Sequence, residues 1–455
     1  MPKIVLANFR ADYAENVRSA SGFPVGTKTG GDTSCRFLWH ASEGDVLVVP
    51  DSVGPEHVKH YSALAGVDGS RINVVPVDHL LSDSALTDEA FVSRLRPFVG
   101  TDPAQWSLFP CVFTKGVAEL ADALGLAPAA GSGFADQNGV DMLNLKSTFR
   151  RLAAGAGVPL PPGNVVRSSG ELARAITANV AETGMAIVKQ DRSGGGHGNV
   201  GLTTLQGASL PGTRYSRFIG SADVEALALE LWDELSDEFN SLLVVESYQE
   251  ARKRFYLEFF ISDEDVTFLN GGMIRYSPES SGTEANESAS ESPRWVGLDL
   301  QLHLGNRAHT EVVGHARTFL DLVRQIGYRG HVNIDGLVTV AGHIYFHEIN
   351  ARWGGSLVYH EVGDRLLGHG YADHSLVSSA LGTDPVPFEQ LVSLIDESRL
   401  AFDPDTRTGV VPLAGSSDLG GGTESVVLGR DAAEVRDLKG RLSACIAGRA
   451  RTEGA

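Results

Sequence analysis

The chain has 455 residues, 42% hydrophobic and 21% charged, a balance that excludes a disordered polymer and gives length for about three domains. Asp and Glu number 57 against 38 Lys and Arg, a net charge of -19 that sets the surface against phosphate backbones and excludes nucleic acid as the expected partner. Cys35, Cys111 and Cys445 lie far apart without metal-ligand spacing, and no apolar run reaches membrane-spanning length, so we expect free thiols, no membrane partner and a cytoplasmic protein.

Residues 1–135 alternate short β-branched runs (3–7, 45–49, 72–75, 110–113) with helix-like segments (56–65, 87–96), which predicts a parallel-sheet α/β domain. No Gly-rich turn follows the first strand, so the dinucleotide fingerprint is absent; Asn8 and Arg10 stand where a ligand crevice would open, or are structural loop residues. Residues 128–139 read as a linker. A helix is expected over 141–154, with Asp141 as its cap and with Lys146 and Arg150 on one face; taken alone, both are surface residues.

A strand over 186–190 ends in Lys189-Gln190 and runs into DRSGGGHGN. Glycines there, among them Gly194, Gly195, Gly196 and Gly198, free backbone N–H groups to approach a phosphate chain, although the Walker spacing is missing; a flexible hairpin tip is the alternative. A helix over 222–235 precedes a strand ending at Glu246, then Tyr248 and Glu250, and a strand pair over 255–261 and 266–273 leads to Arg275. Residues 277–293 are polar and acidic, predicting a mobile segment that is either a substrate lid or an inert insertion. Helices are expected at 315–326, 358–367 and 432–447, the last within a small α/β region over 366–455 that holds a loose Gly420-Gly421-Gly422 loop.

Residues 331–352, HVNIDGLVTVAGHIYFHEINAR, carry the densest chemistry. They read as strands over 332–340 and 343–350 joined by Ala341-Gly342, which sets Asp335 opposite Glu348 and Asn333 opposite Asn350. Alternation puts Asn333, Asp335, Leu337 and Thr339 on one face with Ile344, Phe346, Glu348 and Asn350. Two carboxylates about 5 Å apart repel by roughly 3 kcal/mol at an effective dielectric of about 20, so the pair calls for a cation or a shared proton. Carboxylate and amide oxygens suit Mg²⁺, and Arg352 suits a phosphoryl or carboxylate group. The alternatives are a solvated edge hairpin with Asp335-Gly336 as a turn, or a three-residue loop with a bulge at Gly342 that shifts the register by one.

The order of Lys146, Lys189 with its glycine loop, Glu246, and the Asp335, Glu348, Asn350 hairpin resembles the ATP-grasp superfamily of carboxylate-amine ligases over residues 1–360. The resemblance implies a pre-ATP-grasp domain (1–135), a two-subdomain ATP-grasp fold (136–365) and a small C-terminal region (366–455). It implies ATP and Mg²⁺ as cofactors. Lys146 and Lys189 would contact phosphates under the Gly194–Gly198 loop, Glu246 and Tyr248 would face adenine, and Glu250 would meet the ribose. Asp335, Glu348 and Asn350 would hold the metal. Asn333 stands where amino-acid ligases of the family carry an arginine, a role that passes to Arg352 or Arg275.

The implied reaction joins a small-molecule acid, activated as acylphosphate, to the amine of an amino acid or peptide. A homodimer is within what the resemblance allows. The acidic segment and C-terminal extension look most similar to peptide ligases of pheganomycin-type antibiotic biosynthesis. Alternatives are an ATP-grasp carboxylase or nucleotide-biosynthesis ligase, a phosphotransferase working through His197 or His347, and a non-catalytic ATP binder.

Overall fold

The computed structural model describes the chain apart from residues 10–32, 51–52, 128, 221, 278–288, 292, 294, 417–421 and 454–455. Arg10, most of the 277–293 segment and Gly420-Gly421 therefore lie outside the described residues. Four parallel strands, β1 (Lys3–Leu6), β2 (Val46–Pro50), β3 (Asn73–Val77) and β4 (Ser107–Pro110), stand in the order β3-β2-β1-β4. β1 and β2 are buried on both faces, which is why they read as unbroken apolar runs. Ile4, Leu6, Val46 and Val48 pack under the helices Glu89–Val99 and Lys115–Ala123, whereas Val5, Leu47 and Val49 join the large core shared with the rest of the chain. Asn8 is structural: its Oδ1 accepts from the N–H groups of Cys111 and Val112 and its Nδ2 donates to the Val112 carbonyl.

The chain next lays down β5 (Gly163–Val166), β6 (Met185–Gln190), β7 (Asn199–Thr203), β8 (Tyr215–Phe218) and β9 (Leu243–Ser247). Helices Ser169–Thr183 and Val224–Leu235 cover one face, with Leu172, Ile176, Leu227 and Leu231 in their shared core. β10 (Ala251–Ile261) and β11 (Val266–Tyr276) then start a new sheet, β12 (Ala289–Glu291) returns to pair with β8, and β13 (Trp295–Asp299) rejoins β11. The order of the six-stranded sheet is β12-β8-β7-β6-β9-β5.

After the helix Asn306–Gln325, longer than the expected 315–326, come β14 (Gly330–Thr339) and β15 (Ile344–Asn350). β16 (Leu376–Gly382), β17 (Gly409–Ala414) and β18 (Thr423–Gly429) follow, and together these build an eight-stranded sheet in the order β15-β14-β10-β11-β13-β16-β18-β17. The C-terminal strands continue the same sheet as the hairpin, joined to it where Asp299 pairs with Ser378 and the Leu300 N–H donates to the Val377 carbonyl at 2.8 Å.

The β14–β15 hairpin departs from the two-residue loop. Thr339 exchanges hydrogen bonds with His343 around Val340-Ala341-Gly342, with Gly342 at φ 90°, so the ladder starts one residue out, with Val338 opposite Ile344 and Gly336 opposite Phe346. A second irregularity between Asp335 and Gly336 restores the register, so that Asp335 faces Glu348 and Asn333 faces Asn350 as expected. The shared face is not the expected one near the turn. Leu337 pairs with Tyr345, and Ile344, Phe346 and Ile349 turn into the core, because one extra residue in β15 reverses the alternation.

Gly336 sits at this irregularity because a Cβ there would lie 2.4 Å from the Phe255 ring and 2.8 Å from the Tyr345 carbonyl. Gly336→Ala is expected to cost about 1–3 kcal/mol, read as a lower denaturation midpoint in urea; unchanged stability would contradict this packing.

Candidate functional site

Register brings the two acids together, and their surroundings divide one charge between them. Burial, then the facing Glu348 and, beyond it, Glu258, push the Asp335 carboxyl well above its usual range, against the pull of Arg352. Burial also pushes Glu348 up, but Lys146, His347, Lys189 and the Asn350 amide outweigh it and hold Glu348 below the usual range. Lys146 Nζ lies 3.7 Å from Glu348 Oε2, Asn350 Nδ2 donates to Glu348 Oε1 at 3.3 Å, and Arg352 Nη2 donates to Asn350 Oδ1 at 3.1 Å. The bulge turns His347 toward the cavity beside Glu348, where burial lowers its pKa to about 4. Among the described residues no group of three or more His, Cys, Asp or Glu could hold a metal, so the oxygen donors are two carboxylates and one amide.

Lys146 is not in the middle of a helix. The expected helix over 141–154 is broken into Gly139–Leu143 and Lys146–Gly155, and Asp141 pairs with Arg192 at 3.2 Å instead of capping the longer piece. The cap comes from the end of β6. The Asp191 carboxylate accepts from the Ser147 N–H at 2.7 Å and its hydroxyl at 2.8 Å, and its carbonyl accepts from the Lys146 N–H. A carboxylate at a helix N-terminus is favoured by the exposed N–H groups there, and here it ties Lys146 to the glycine loop. Lys146 Nζ also donates to the Ser193 carbonyl, and burial lowers its pKa.

Lys189 Nζ lies 2.6 Å from Glu246 Oε2, and Arg150 Nη1 lies 2.8 Å from Glu246 Oε1. Cross-strand pairing of Ile187 with Glu246 sets Lys189 one diagonal step away on the same face. Burial raises Glu246, yet Lys189 and Arg150 together hold it below the usual range. Burial biases Asp335 toward its neutral form, and Lys146, Arg150, Lys189 and Arg352 then stand against the carboxylates of Glu246 and Glu348 and, beside Lys146, Asp191. The cluster is a positive pocket in an acidic protein, suited to a polyanion.

A cavity of about 540 Å³ opens over this cluster, with Lys189, Glu246, Asp335, Glu348, Asn350 and Arg352 in its wall. Gly195 (φ 61°) and Gly196 (φ 80°) also line it, and a Cβ on Gly196 would lie 2.8 Å from the Gly212 carbonyl. Tyr248 lines it too, with its N–H on the Met185 carbonyl and its hydroxyl on the Pro211 carbonyl. Gly194 and Gly198 do not line it, and Lys146, also outside the lining, reaches the wall through Glu348. Glu250 is exposed and away from the cavity, with its carbonyl accepting from the Val340 N–H. Arg275 is a correction. Ile274 and Tyr276 line the cavity, so strand alternation turns Arg275 to the opposite face, where it pairs with Asp299 at 3.0 Å and donates to the Ser379 carbonyl.

Sequence reasoning passed over Arg150 and Glu258. Arg150 stood one helical turn from Lys146 but read as surface. Glu258 was visible as the one charge in FYLEFFI, a run that can only be a buried strand. It is fully buried and accepts from Asn333 Nδ2 at 3.0 Å, the Gly354 N–H at 2.9 Å and the Ser356 hydroxyl at 3.2 Å. Asn333 therefore anchors Glu258, and Glu258 fixes the backbone that follows Arg352.

Burial raises the Glu258 pKa to about 7, against the downward pull of those donors. Between the unfolded value near 4.5 and about 7, the unfolded chain has lost this proton and the native state has kept it. Stability is therefore expected to fall as pH rises through that window, by on the order of 3 kcal/mol, and Glu258→Gln should flatten that part of the profile. An unchanged profile in Glu258→Gln, measured by urea unfolding from pH 4 to 8, would contradict the assignment.

Comparison with known proteins identifies the architecture. Residues 34–126 match the Pre ATP-grasp domain family and residues 390–449 match the PGM1 C-terminal domain. No curated protein matches. Among solved structures the chain is similar to N5-carboxyaminoimidazole synthase from Aspergillus clavatus, in complex with ADP and 5-aminoimidazole ribonucleotide (10% identity, TM-score 0.54, 98% of this chain and 99% of that one). It is similar to biotin carboxylase from Campylobacter jejuni (12%, 0.56, 97% and 94%) and to N5-carboxyaminoimidazole ribonucleotide synthetase from Thermus thermophilus (13%, 0.53, 98% and 98%). At these identities the likeness is one of fold: a parallel-sheet domain followed by ATP-grasp subdomains.

Proposed function

Because the chain carries the ATP-grasp fold behind a pre-ATP-grasp domain, we propose that it is an ATP-dependent, ADP-forming ligase joining a carboxylate to the amine of an amino acid or peptide. The observation that carries this reading is the opposition of Asp335 and Glu348 in one register, with Asn350 beside them and a surplus of lysine and arginine around them. Two carboxylates and an amide fit Mg²⁺, which takes one or two protein carboxylates and completes its shell with phosphate and water oxygens. When bound there, Mg²⁺ neutralises charge on the nucleotide's phosphate oxygens.

The chain's own residues do the rest. Lys146 and Lys189 meet phosphate oxygens, with Lys189 aimed by Glu246 and Lys146 tied to the glycine loop through Asp191. Gly195 and Gly196 let backbone approach the phosphates, and the backbone about Tyr248 faces the base. Arg352, held by Asn350 and by the loop that Glu258 fixes, steadies the phosphoryl group in flight. A substrate carboxylate oxygen attacks the γ-phosphorus and ADP leaves. The amine nitrogen then attacks the acylphosphate carbonyl, the C–O bond to phosphate breaks with its electron pair, and the nitrogen loses a proton.

The peptide side of the reading rests on the C-terminal extension, which carries the likeness to pheganomycin-type ligases and within which residues 390–449 match the PGM1 C-terminal domain. A second reading, an ATP-grasp carboxylase or nucleotide-biosynthesis ligase acting on a small metabolite, draws on the carboxylase and ribonucleotide synthetase folds above. ADP release stimulated by bicarbonate would favour it. ADP release with pairs of amino acids or peptides, and a product of acid plus amine less water by mass, favours the first.

Asp335→Asn and Glu348→Gln are each expected to lower Mg²⁺-dependent ADP release by about a hundredfold or more. The thermal midpoint should hold in Asp335→Asn, because the amide replaces a carboxyl group that burial and Glu348 already bias toward its neutral form. Turnover at the wild-type rate in either variant would remove the metal assignment.

A further inference from the structure

The cavity has a second end that the phosphate chemistry does not use. Arg36, from the 3-10 helix Ser34–His40, there meets Glu424 of β18, with its Nη1 2.7 Å from both carboxylate oxygens. The Tyr359 hydroxyl, from the helix Ser356–Leu367, donates to Glu424 Oε1 at 2.7 Å. All three line the cavity, and the Arg36 and Glu424 side chains are only 15% and 5% exposed. The cluster is supplied on its acceptor side but not on its donor side. Glu424 takes three hydrogen bonds, whereas Arg36 Nε is buried with no hydrogen-bond partner among the described residues. Nε itself is closed off from solvent, so a ligand in the cavity reaches Arg36 through the part of its side chain, 15% exposed, that lines the wall, where a guanidinium suits a carboxylate.

The same end has an apolar wall. Trp295 and Leu381 line the cavity yet are 44% and 39% exposed, with Ile274 and Leu298 beside them. Large apolar side chains exposed together at a cavity mouth, next to a few convergent polar groups, mark a binding surface.

We propose that this end binds the amine-bearing substrate, an apolar amino acid or short peptide whose free carboxylate docks on Arg36 and whose side chain lies against Trp295 and Leu381. A carboxylate held by Arg36 is withheld from phosphorylation, so this molecule acts as the amine partner and the activated carboxylate belongs to the other substrate. The assignment rests on the ligase reading above and adds to it a requirement for a free carboxylate on the amine partner.

The test is calorimetric titration of the full chain, with Mg²⁺ and a non-hydrolysable ATP analogue present. The probes are L-leucine, L-phenylalanine and leucyl-phenylalanine as free acids and as C-terminal amides. At least one free acid should bind, its amide about tenfold or more weaker, a difference of about 1.4 kcal/mol. Arg36→Gln should reduce the acid to the level of its amide. Since loss of Arg36 alone strands the Glu424 charge, Arg36→Gln with Glu424→Gln, which leaves no buried charge, should show the same loss at a near wild-type thermal midpoint. The proposal is overturned if no acid binds, if amides bind as well as acids, or if the double variant keeps the preference. Parallel ADP-release assays separate the two readings: release without a preference for acids removes the subsite alone, and a preference for acids without release keeps a carboxylate subsite at Arg36 but removes the ligase reading and with it the role of amine partner.

Discussion

Two carboxylates set face to face in a partly buried ladder are the constraint on which the chemistry of this fold depends. A sheet does not tolerate like charges directly opposed unless something else holds them there. Here two one-residue offsets, at Gly342 and at Asp335-Gly336, cancel to deliver that opposition. Lysine from a neighbouring helix and the amide of Asn350 hold Glu348 below its usual range, while burial and the facing Glu348 push Asp335 above its own. The two acids thus titrate apart, which lessens the repulsion that two full charges would carry and leaves the pair suited to the proposed Mg²⁺.

Around the two acids, the other buried charges are already paired. Glu246 is occupied on both oxygens by Lys189 and Arg150, so its charge serves to aim those cations and is not free for a ligand. Glu258 shapes the backbone behind Arg352 by accepting from Gly354, and a Cβ at Gly354 would lie 2.4 Å from its carboxylate. A net-acidic chain therefore keeps a locally positive chamber, the feature on which the proposed binding of a metal-bound polyanion rests.

Much of this was legible in the sequence because the decisive signals were local. The alternating strand and helix runs of the first domain needed only spacing, whereas the opposition of Asp335 to Glu348, expected from a two-residue loop, holds because two irregularities cancel. What was not legible depended on non-local partners. The helix break at Asn144-Leu145 follows from Asp191 capping Ser147 from another strand, and nothing near residue 144 announces it. Arg275 read as a site residue by its place in the chain, yet strand phase sent it to Asp299, and Arg150 read as surface until Glu246 came to meet it. The face assignment near the turn failed because a bulge reverses parity, and sequence spacing alone cannot count an unpaired residue.

The eight-stranded sheet has a mechanical consequence. Hairpin, central strands and C-terminal strands share one continuous ladder, so Asp335 and Glu424, about ninety residues apart in sequence, ride on a single stiff plate. Separating them would mean tearing in-plane hydrogen bonds, whereas tilting the six-stranded sheet away breaks none of that ladder. A jaw motion of the glycine-loop sheet is therefore one that leaves the plate whole, and Arg36, carried on a 3-10 helix outside the ladder, is tied to that plate through Glu424.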